Sequence, residues 1–362
     1  MKFKIKIIKK RLEFKTPAGT SRGIYKTRDV WYVILKNNEL YGVGEAAPLP
    51  LLSCDYITGY EDILKGICNE IEQRGDIGGD INGDIDISRA ISVSRLIDYP
   101  SILFALESAF CHLRAKSMRF WNTPFSMAKE GIPINGLIWM GSFDEMKSRI
   151  EEKLSSMWAC IKIKIGSIDF NNEIELIKII RSRYSSSDVE IRVDANGAFT
   201  PGNVMRKLEV LSKYSIHSIE QPIMARQIDE MAKICKSSPI PIALDEELIG
   251  NNKRTQKEEL LNYILPQYII LKPSLHGGLS GCDEWIKIAE DKNIGYWVTS
   301  ALESNVGLNA IAQWCATKSH NIHQGLGTGS LFYNNIDYPL SVRDNRLWMN
   351  DELSEPDFSE FL

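Results

Sequence analysis

The sequence predicts an α/β protein: a C-terminal TIM-like (β/α) barrel with an N-terminal α+β capping domain. Two observations carry this. Five polar residues, Lys164, Asp194, Glu220, Asp245 and Lys272, each end a strand-like run, at steps of 30, 26, 25 and 27 residues. A strand, a helix and two short loops take about that length, so each step reads as one βα unit. At 362 residues the chain also exceeds one average domain and suits a barrel plus a smaller partner.

The N-terminal part, 1–125, reads as the capping domain. Strand-like runs lie at 2–9, 30–36 and 39–44, with Asn37-Asn38 as a hairpin turn. Between them TPAGTSRG, 16–23, holds a proline, two glycines and small hydroxyl residues, and reads as a mobile loop. Residues 59–72 and 100–120 read as helices; in the second, Phe104, Ala105, Ala109, Cys111 and Leu113 suit a packed helix. The Gly/Asp-rich stretch 75–88 lacks the twelfth-position glutamate and flanking helices of an EF-hand, and reads as a solvated loop.

The barrel is expected over 126–328, with strands near 133–140, 160–166, 190–195, 217–221, 241–245, 267–272, 295–300 and 322–327. Segments such as 171–184 and 202–214 carry apolar residues at three- and four-residue spacing, as covering helices do. The remainder, 329–362, is expected to pack back on the capping domain.

Composition excludes several classes. Apolar content of 44% and charged content of 25% are ordinary for a globular protein. A net charge of −4 without a basic stripe gives no reason to expect nucleic acid as a partner. The basic N-terminus is followed by strand-like alternation, and no run approaches the roughly 18 apolar residues of a membrane span. The cytoplasm is therefore the expected location, and the oligomeric state stays open. Seven scattered cysteines without CxxC spacing argue for reduced, buried thiols over disulfides or a zinc site. His320 and His323 stand three apart, a spacing compatible with metal ligation, but a surface or loop role is the preferred reading.

In a barrel the strand ends converge at one mouth, where active sites lie. Three carboxylates, Asp194, Glu220 and Asp245, would then share a pocket with two amines, Lys164 and Lys272. Oxygen-only ligands suit Mg²⁺, with Mn²⁺ as a substitute. One acidic residue at a strand end is more often a helix cap; three in register, each inside an apolar strand, are harder to dismiss. Removing a proton beside a carboxylate places a second negative charge on the same group, and a bound divalent metal stabilises it.

Lys162 and Lys164 stand two apart and point to one side of a strand, while Ile161, Ile163 and Ile165 supply the packed face. Mutual repulsion and burial are expected to lower the pKa of at least one, as a catalytic base needs. Lys272 reads as a second acid/base or a cation on the opposite substrate face, or alternatively as an ion-pair partner of Glu246 or another mouth carboxylate. Asn196 and Glu246 are expected to orient the metal ligands. Ser300 and Glu303 either contact substrate or form a helix capping box. GLGTG, 325–329, with Gly327 and Thr328, is either a backbone site for a substrate anion or a tight turn. Ser21 and Arg22 of the 16–23 loop are further candidate substrate contacts.

Taken together, K-x-K at 162–164, D-A-N at 194–196, I-E-Q-P at 219–222, the D-E pair at 245–246 and L-K-P at 271–273 resemble the enolase superfamily, in its muconate-lactonizing subgroup. Sites of that superfamily pair a Lys or His base with Mg²⁺. GVGEAAPLP, 42–50, is similar to a run of its capping domains. SALES, 300–304, and GLGTGSLF, 325–332, resemble the o-succinylbenzoate synthases of the menaquinone pathway, and TPAGTSRG, 16–23, resembles their mobile lid. The resemblance implies syn-dehydration of a small carboxylate, 2-succinyl-6-hydroxy-2,4-cyclohexadiene-1-carboxylate, with Lys164 as base and Lys272 as the cation across the ring. The rival readings are a dipeptide epimerase or N-acylamino-acid (N-succinyl) racemase using the same lysines, and a non-catalytic barrel serving as a binding or scaffold protein. Dipeptide epimerases carry an Asp-x-Asp after the eighth strand, whereas here no acid follows until Asp337.

Overall fold

The computed structural model describes residues 4–20, 23–37, 40–74, 93–318, 322–351, 356 and 358. Ser21, Arg22, Asn38, His320 and the stretch 75–88 lie outside the described residues.

The chain opens with an antiparallel sheet in the order β1 (Lys4–Thr20), β2 (Gly23–Asn37), β3 (Leu40–Ala46). β1 runs much further than expected, through most of the loop predicted at 16–23. Alternation continues past residue 9: Leu12 and Phe14 are buried while Glu13 is exposed. Arg11 pairs with Asp29 across the ladder, and the register shifts between Glu13 and Ala18. That irregularity accommodates Pro17, which has no N–H to donate.

Helices α1 (Tyr60–Arg74), α2 (Val93–Leu96) and α3 (Pro100–Ala115) follow. α3 starts with Pro100 in its first turn and ends at Lys116, whose φ of 56° is left-handed. It lies against β3 at Gly42 and Gly44, where a Cβ would come within 2.0 and 1.8 Å of the Ala109 and Ala105 carbonyl oxygens. Backbone thus touches backbone, which only glycine permits.

The second part is a parallel sheet in the order β5 (Gly136–Ile138), β6 (Cys160–Lys164), β7 (Glu190–Asp194), β8 (Ser218–Glu220), β9 (Ile242–Leu244), β10 (Tyr268–Leu271), β11 (Gly295–Val298). It curls and closes through the eighth position. Gln324 bridges Ile134 and Gly325 bridges Thr299, both in parallel sense. The expected first strand is split, because Ile132–Pro133 (β4) belongs to another sheet.

The covering helices are α4 (Phe143–Ser155), α5 (Phe170–Arg181), α6 (Val204–Ser212), α7 (Ile228–Ser237), α8 (Arg254–Ile264), α9 (Gly278–Glu290) and α10 (Asn305–Cys315). Their termini follow local chemistry. Ser142 and Glu145 form a capping box on α4, which buries Met146, Ile150 and Leu154 at four-residue spacing. Asp169 caps α5 by accepting the Asn171 N–H.

Two contacts fasten the N-terminal elements to the barrel. Glu107 of α3 accepts the N–H groups of Leu279 and Ser280 at the start of α9. Glu45 of β3 accepts the N–H groups of Ser304 and Gly307 at the start of α10, both at 2.8 Å. Each carboxylate answers helix N–H groups that have no partner inside their own helix.

The C-terminal segment divides. Phe332, Tyr338 and Phe358 share an apolar cluster with Leu12, Phe14 and Val43 of the N-terminal sheet. By contrast β12 (Leu340–Arg343) and β13 (Arg346–Met349) form a hairpin that pairs with β4, Leu347 opposite Ile132. That hairpin adds a pairing the expectation for 329–362 did not include, while its Leu340 packs against the same N-terminal cluster. Among the described residues, no helix is long and apolar enough to cross a membrane.

Candidate active site

Strand register builds the mouth. Lys164 stands opposite Asp194, and Asp194 opposite Glu220, so three strand ends form one layer. Asp245 follows β9 and Lys272 follows β10. β6 and β10 are diametrically placed: three strand positions separate them in either direction. Lys164 and Lys272 therefore approach the mouth from opposite walls.

The lysines neutralise the carboxylates. Lys164 Nζ lies 2.8 Å from Asp194 Oδ2 and donates to Asn196 Oδ1 at 2.7 Å. Lys162 Nζ lies 2.9 Å from the same Asp194 oxygen and also pairs with Glu220 Oε2. Lys272 pairs with Asp245 Oδ2. Asn196, whose backbone is left-handed at φ 42°, passes a hydrogen bond of 3.0 Å from Nδ2 to Glu246 Oε1.

At Lys162 these charges reverse the expected lowering. Burial disfavours the Lys162 ammonium, but Asp194 and Glu220 outweigh it and raise its pKa above the ordinary lysine value. Burial likewise opposes the Lys272 ammonium, and Asp245 and Glu220 raise it. The acids that decide the sign at Lys162 come from other strands, β7 and β8. Glu220 moves the opposite way from Asp194. Burial first, then the neighbouring Asp194, pushes Glu220 well up, whereas Lys162 and Lys164 overcome burial and hold Asp194 well down.

The three carboxylates fit a hard divalent ion by donor chemistry. They offer oxygen only, from adjacent strands, and Glu220 Oε1 and Asp245 Oδ1 are buried without a hydrogen-bond partner. They are not drawn into a closed triad: Asp194 and Glu220 share Lys162, and Asp245 faces Lys272.

A cavity of about 410 Å³ opens over this layer, lined by Lys162, Lys164, Lys272 and Glu220 among others. Ser300, Gly327 and Thr328 also line it, and the Ser300 and Thr328 hydroxyls are hydrogen-bonded at 2.7 Å. Glu303 does not belong there, which corrects its expected substrate contact. It is 0% exposed, accepts the Ala301 N–H at 2.6 Å and pairs with Ser274 Oγ. The capping-box reading fails as well, because Ser304 caps α10 by accepting the Val306 N–H. The short turn after β11 carries residue 303 inward and leaves residue 304 at the helix start.

Sequence reasoning missed several positions. Gln221 Oε1 accepts the backbone N–H groups of Asp245 and Glu247, each at 3.2 Å, and so ties the end of β8 to the end of β9. Its place in the I-E-Q-P run, next to Glu220, was the available signal. Tyr25, Leu49, Leu52 and Trp139 also line the cavity. Tyr25 is held by a 2.8 Å hydrogen bond to the Pro50 carbonyl. Nothing local marks Tyr25, Leu49 and Leu52, which reach the mouth only when the N-terminal part docks; Trp139 directly follows β5, inside the run expected as the first barrel strand.

Comparison with known proteins agrees with this architecture. A family model described as "Enolase C-terminal domain-like" matches residues 145–353. An o-succinylbenzoate synthase of Desulfotalea psychrophila is 43% identical over 352 residues, spanning 91% of this chain and 95% of that one. The crystal structure of MenC from the same organism superposes with a TM-score of 0.81 at 37% identity, covering 96% of this chain and 100% of that one. The dipeptide epimerase from Enterococcus faecalis, solved with Mg and the dipeptide L-Leu-L-Tyr, has a TM-score of 0.77 at 19% identity over 94% of each chain; it shares the fold.

Proposed function

This chain belongs to the enolase superfamily, and we propose that it dehydrates 2-succinyl-6-hydroxy-2,4-cyclohexadiene-1-carboxylate to o-succinylbenzoate. The observation that carries the reaction type is the pair of cavity-lining lysines on opposite walls, each ion-paired to a buried carboxylate at a strand end. The substrate follows from the 43% identical o-succinylbenzoate synthase. The pathway would then be menaquinone synthesis and the compartment the cytoplasm.

Asp194, Glu220 and Asp245 would hold Mg²⁺, with Mn²⁺ as a substitute. When bound, the ion supplies positive charge against the substrate carboxylate. The remaining work belongs to side chains. Lys164, aimed by Asn196 and Asp194, takes the proton from the carbon beside the carboxylate. The ring C–O bond then breaks, and the same lysine returns its proton to the departing hydroxide, which leaves as water. One lysine serving both steps from one face makes the elimination syn. Lys272, from the opposite wall, offsets the negative charge that spreads over the ring. Lys162, bound to two acids, holds the carboxylates in place as a permanent cation. Leu49, Leu52 and Trp139 exclude water over the ring.

The test is a continuous ultraviolet assay with purified protein, Mg²⁺ and the cyclohexadiene carboxylate. Lys164→Ala should lower turnover at least about a hundredfold, with an unchanged circular dichroism spectrum. A near-full rate in that variant removes Lys164 as the base. No turnover by the wild type removes the substrate.

A further inference from the structure

The barrel interior holds a second polar layer far from the mouth. Period-two alternation puts Cys160, Lys162 and Lys164 on one face of β6, and Glu190, Arg192 and Asp194 on one face of β7. Cys160 is the register partner of Glu190, as Lys164 is of Asp194. The first pair therefore lies about 13 Å below the second, at ~3.3 Å per residue. His217 stands one residue ahead of β8, and His323 one residue ahead of the Gln324 bridge, at the same end of the barrel.

Among the described residues, the group of three metal-competent side chains with donor atoms all within 4.8 Å of one another is not the carboxylate trio of the mouth. It is Cys160, Glu190 and His323. His217 stands beside this group on the Glu190 side: its Nε2 lies 3.9 Å from Glu190 Oε2, while its Nδ1 lies 3.0 Å from Ser218 Oγ. A hydrogen bond at one imidazole nitrogen fixes the ring and leaves the other for a ligand. His323 Nδ1 is buried without a hydrogen-bond partner. A buried ring nitrogen left so needs an explanation.

We propose that Cys160, Glu190, His217 and His323 form a binding site for a zinc-type divalent ion at the N-terminal end of the barrel. Thiolate, imidazole and carboxylate are each donors that such ions take, and four of them complete a tetrahedral set. The set is softer than the oxygen-only mouth, so Mg²⁺ and a zinc-type ion are directed to different ends. Arg192 Nε donates to Glu190 Oε1 at 2.6 Å, and Cys160 Sγ donates to the same oxygen at 3.2 Å. Oε2, facing His217, is the oxygen left for the ion. Binding ionises the Cys160 thiol and releases one proton to solvent; the ion, thiolate and carboxylate then sum to zero. Arg192, stacked 4.4 Å from the Trp297 ring centre, keeps its bond to Oε1. Burial lowers the pKa of both imidazoles, which keeps them neutral and able to donate lone pairs. The ion would staple β6 and β7 to the eighth position, where closure rests on the isolated bridges at Gln324 and Gly325.

The probe is Co²⁺, titrated into chelator-treated full-length protein with Mg²⁺ in excess to occupy the mouth. The expected result is one Co²⁺ per chain with a thiolate-to-cobalt charge-transfer band. Cys160→Ser removes the band, and His323→Gln weakens binding at least tenfold. Zn²⁺ raises the melting temperature of the wild type but not of Cys160→Ser. Cys54→Ser, at the exposed cysteine, leaves the band intact. No thiolate band in folded wild type at saturating Co²⁺ overturns the proposal, as does a band that survives Cys160→Ser or vanishes with Cys54→Ser. The wild-type titration decides even if a variant fails to fold.

Discussion

Lys164 and Asp194 are cross-strand register partners whose side chains meet at 2.8 Å, and the carboxylate oxygen that takes Lys164 also takes Lys162 at 2.9 Å. One oxygen thus serves two ammonium groups. Asp194 is at once the counter-ion that keeps two lysines close together and a proposed ligand.

Asp194→Asn removes that charge and keeps the shape. Lys162 then relies on Glu220, and Lys164 on Asn196. We expect Mg²⁺ affinity to fall by roughly a hundredfold, at the upper end of what even outer-shell changes cost a metal site. Isothermal titration calorimetry on the folded variant reads this directly. Wild-type affinity in the variant would remove Asp194 from the ligand set.

A buried histidine gives the fold an acid-sensitive point. His112 on α3 accepts the Val43 N–H at Nδ1, 3.1 Å away, and stacks on Phe120. Burial lowers its pKa from 6.5 to about 4. The sign follows: a depressed pKa stabilises the fold fully above 6.5, and that contribution is lost as pH falls through about 4. The whole span is worth roughly 3 kcal/mol. His112→Gln keeps an acceptor without a titrating group. Its urea midpoint should fall less than that of the wild type between pH 6.5 and 4; parallel curves would count against the assignment.

Glycine contacts set a third expectation. Gly44→Ala drives a methyl into the Ala105 carbonyl of α3 and should cost about 3 kcal/mol, the upper range for overpacking. Gly66→Ala, inside α1 with nothing within 4 Å of the added Cβ, should instead gain about 0.5–1 kcal/mol of helix propensity. Chemical denaturation of both variants measures the contrast. Equal effects would mean that α3 and β3 are not in backbone contact.

Much of this protein was legible locally. Alternation and even spacing placed Lys164, Asp194, Glu220, Asp245 and Lys272 at consecutive strand ends, because strand periodicity and helix length are short-range properties. The same reasoning stopped β1 at residue 9, since the alternation of Leu12 and Phe14 gains meaning only with β2 beside it. It also left Glu303 between a substrate contact and a helix capping box, and neither holds, because its position depends on how one turn folds against Ser274.

The sequence by itself determined which chemical groups stand at the strand ends and in what order. Only the tertiary structure decided which charges meet. Lys162 is raised by acids 32 and 58 positions away, and Glu45 caps a helix 259 positions downstream. Cys160 faces His323 because the barrel closes. Electrostatic sign and ligand grouping depend on separations of a few ångströms. Those separations are set by strand register and barrel closure, which join residues far apart in the chain.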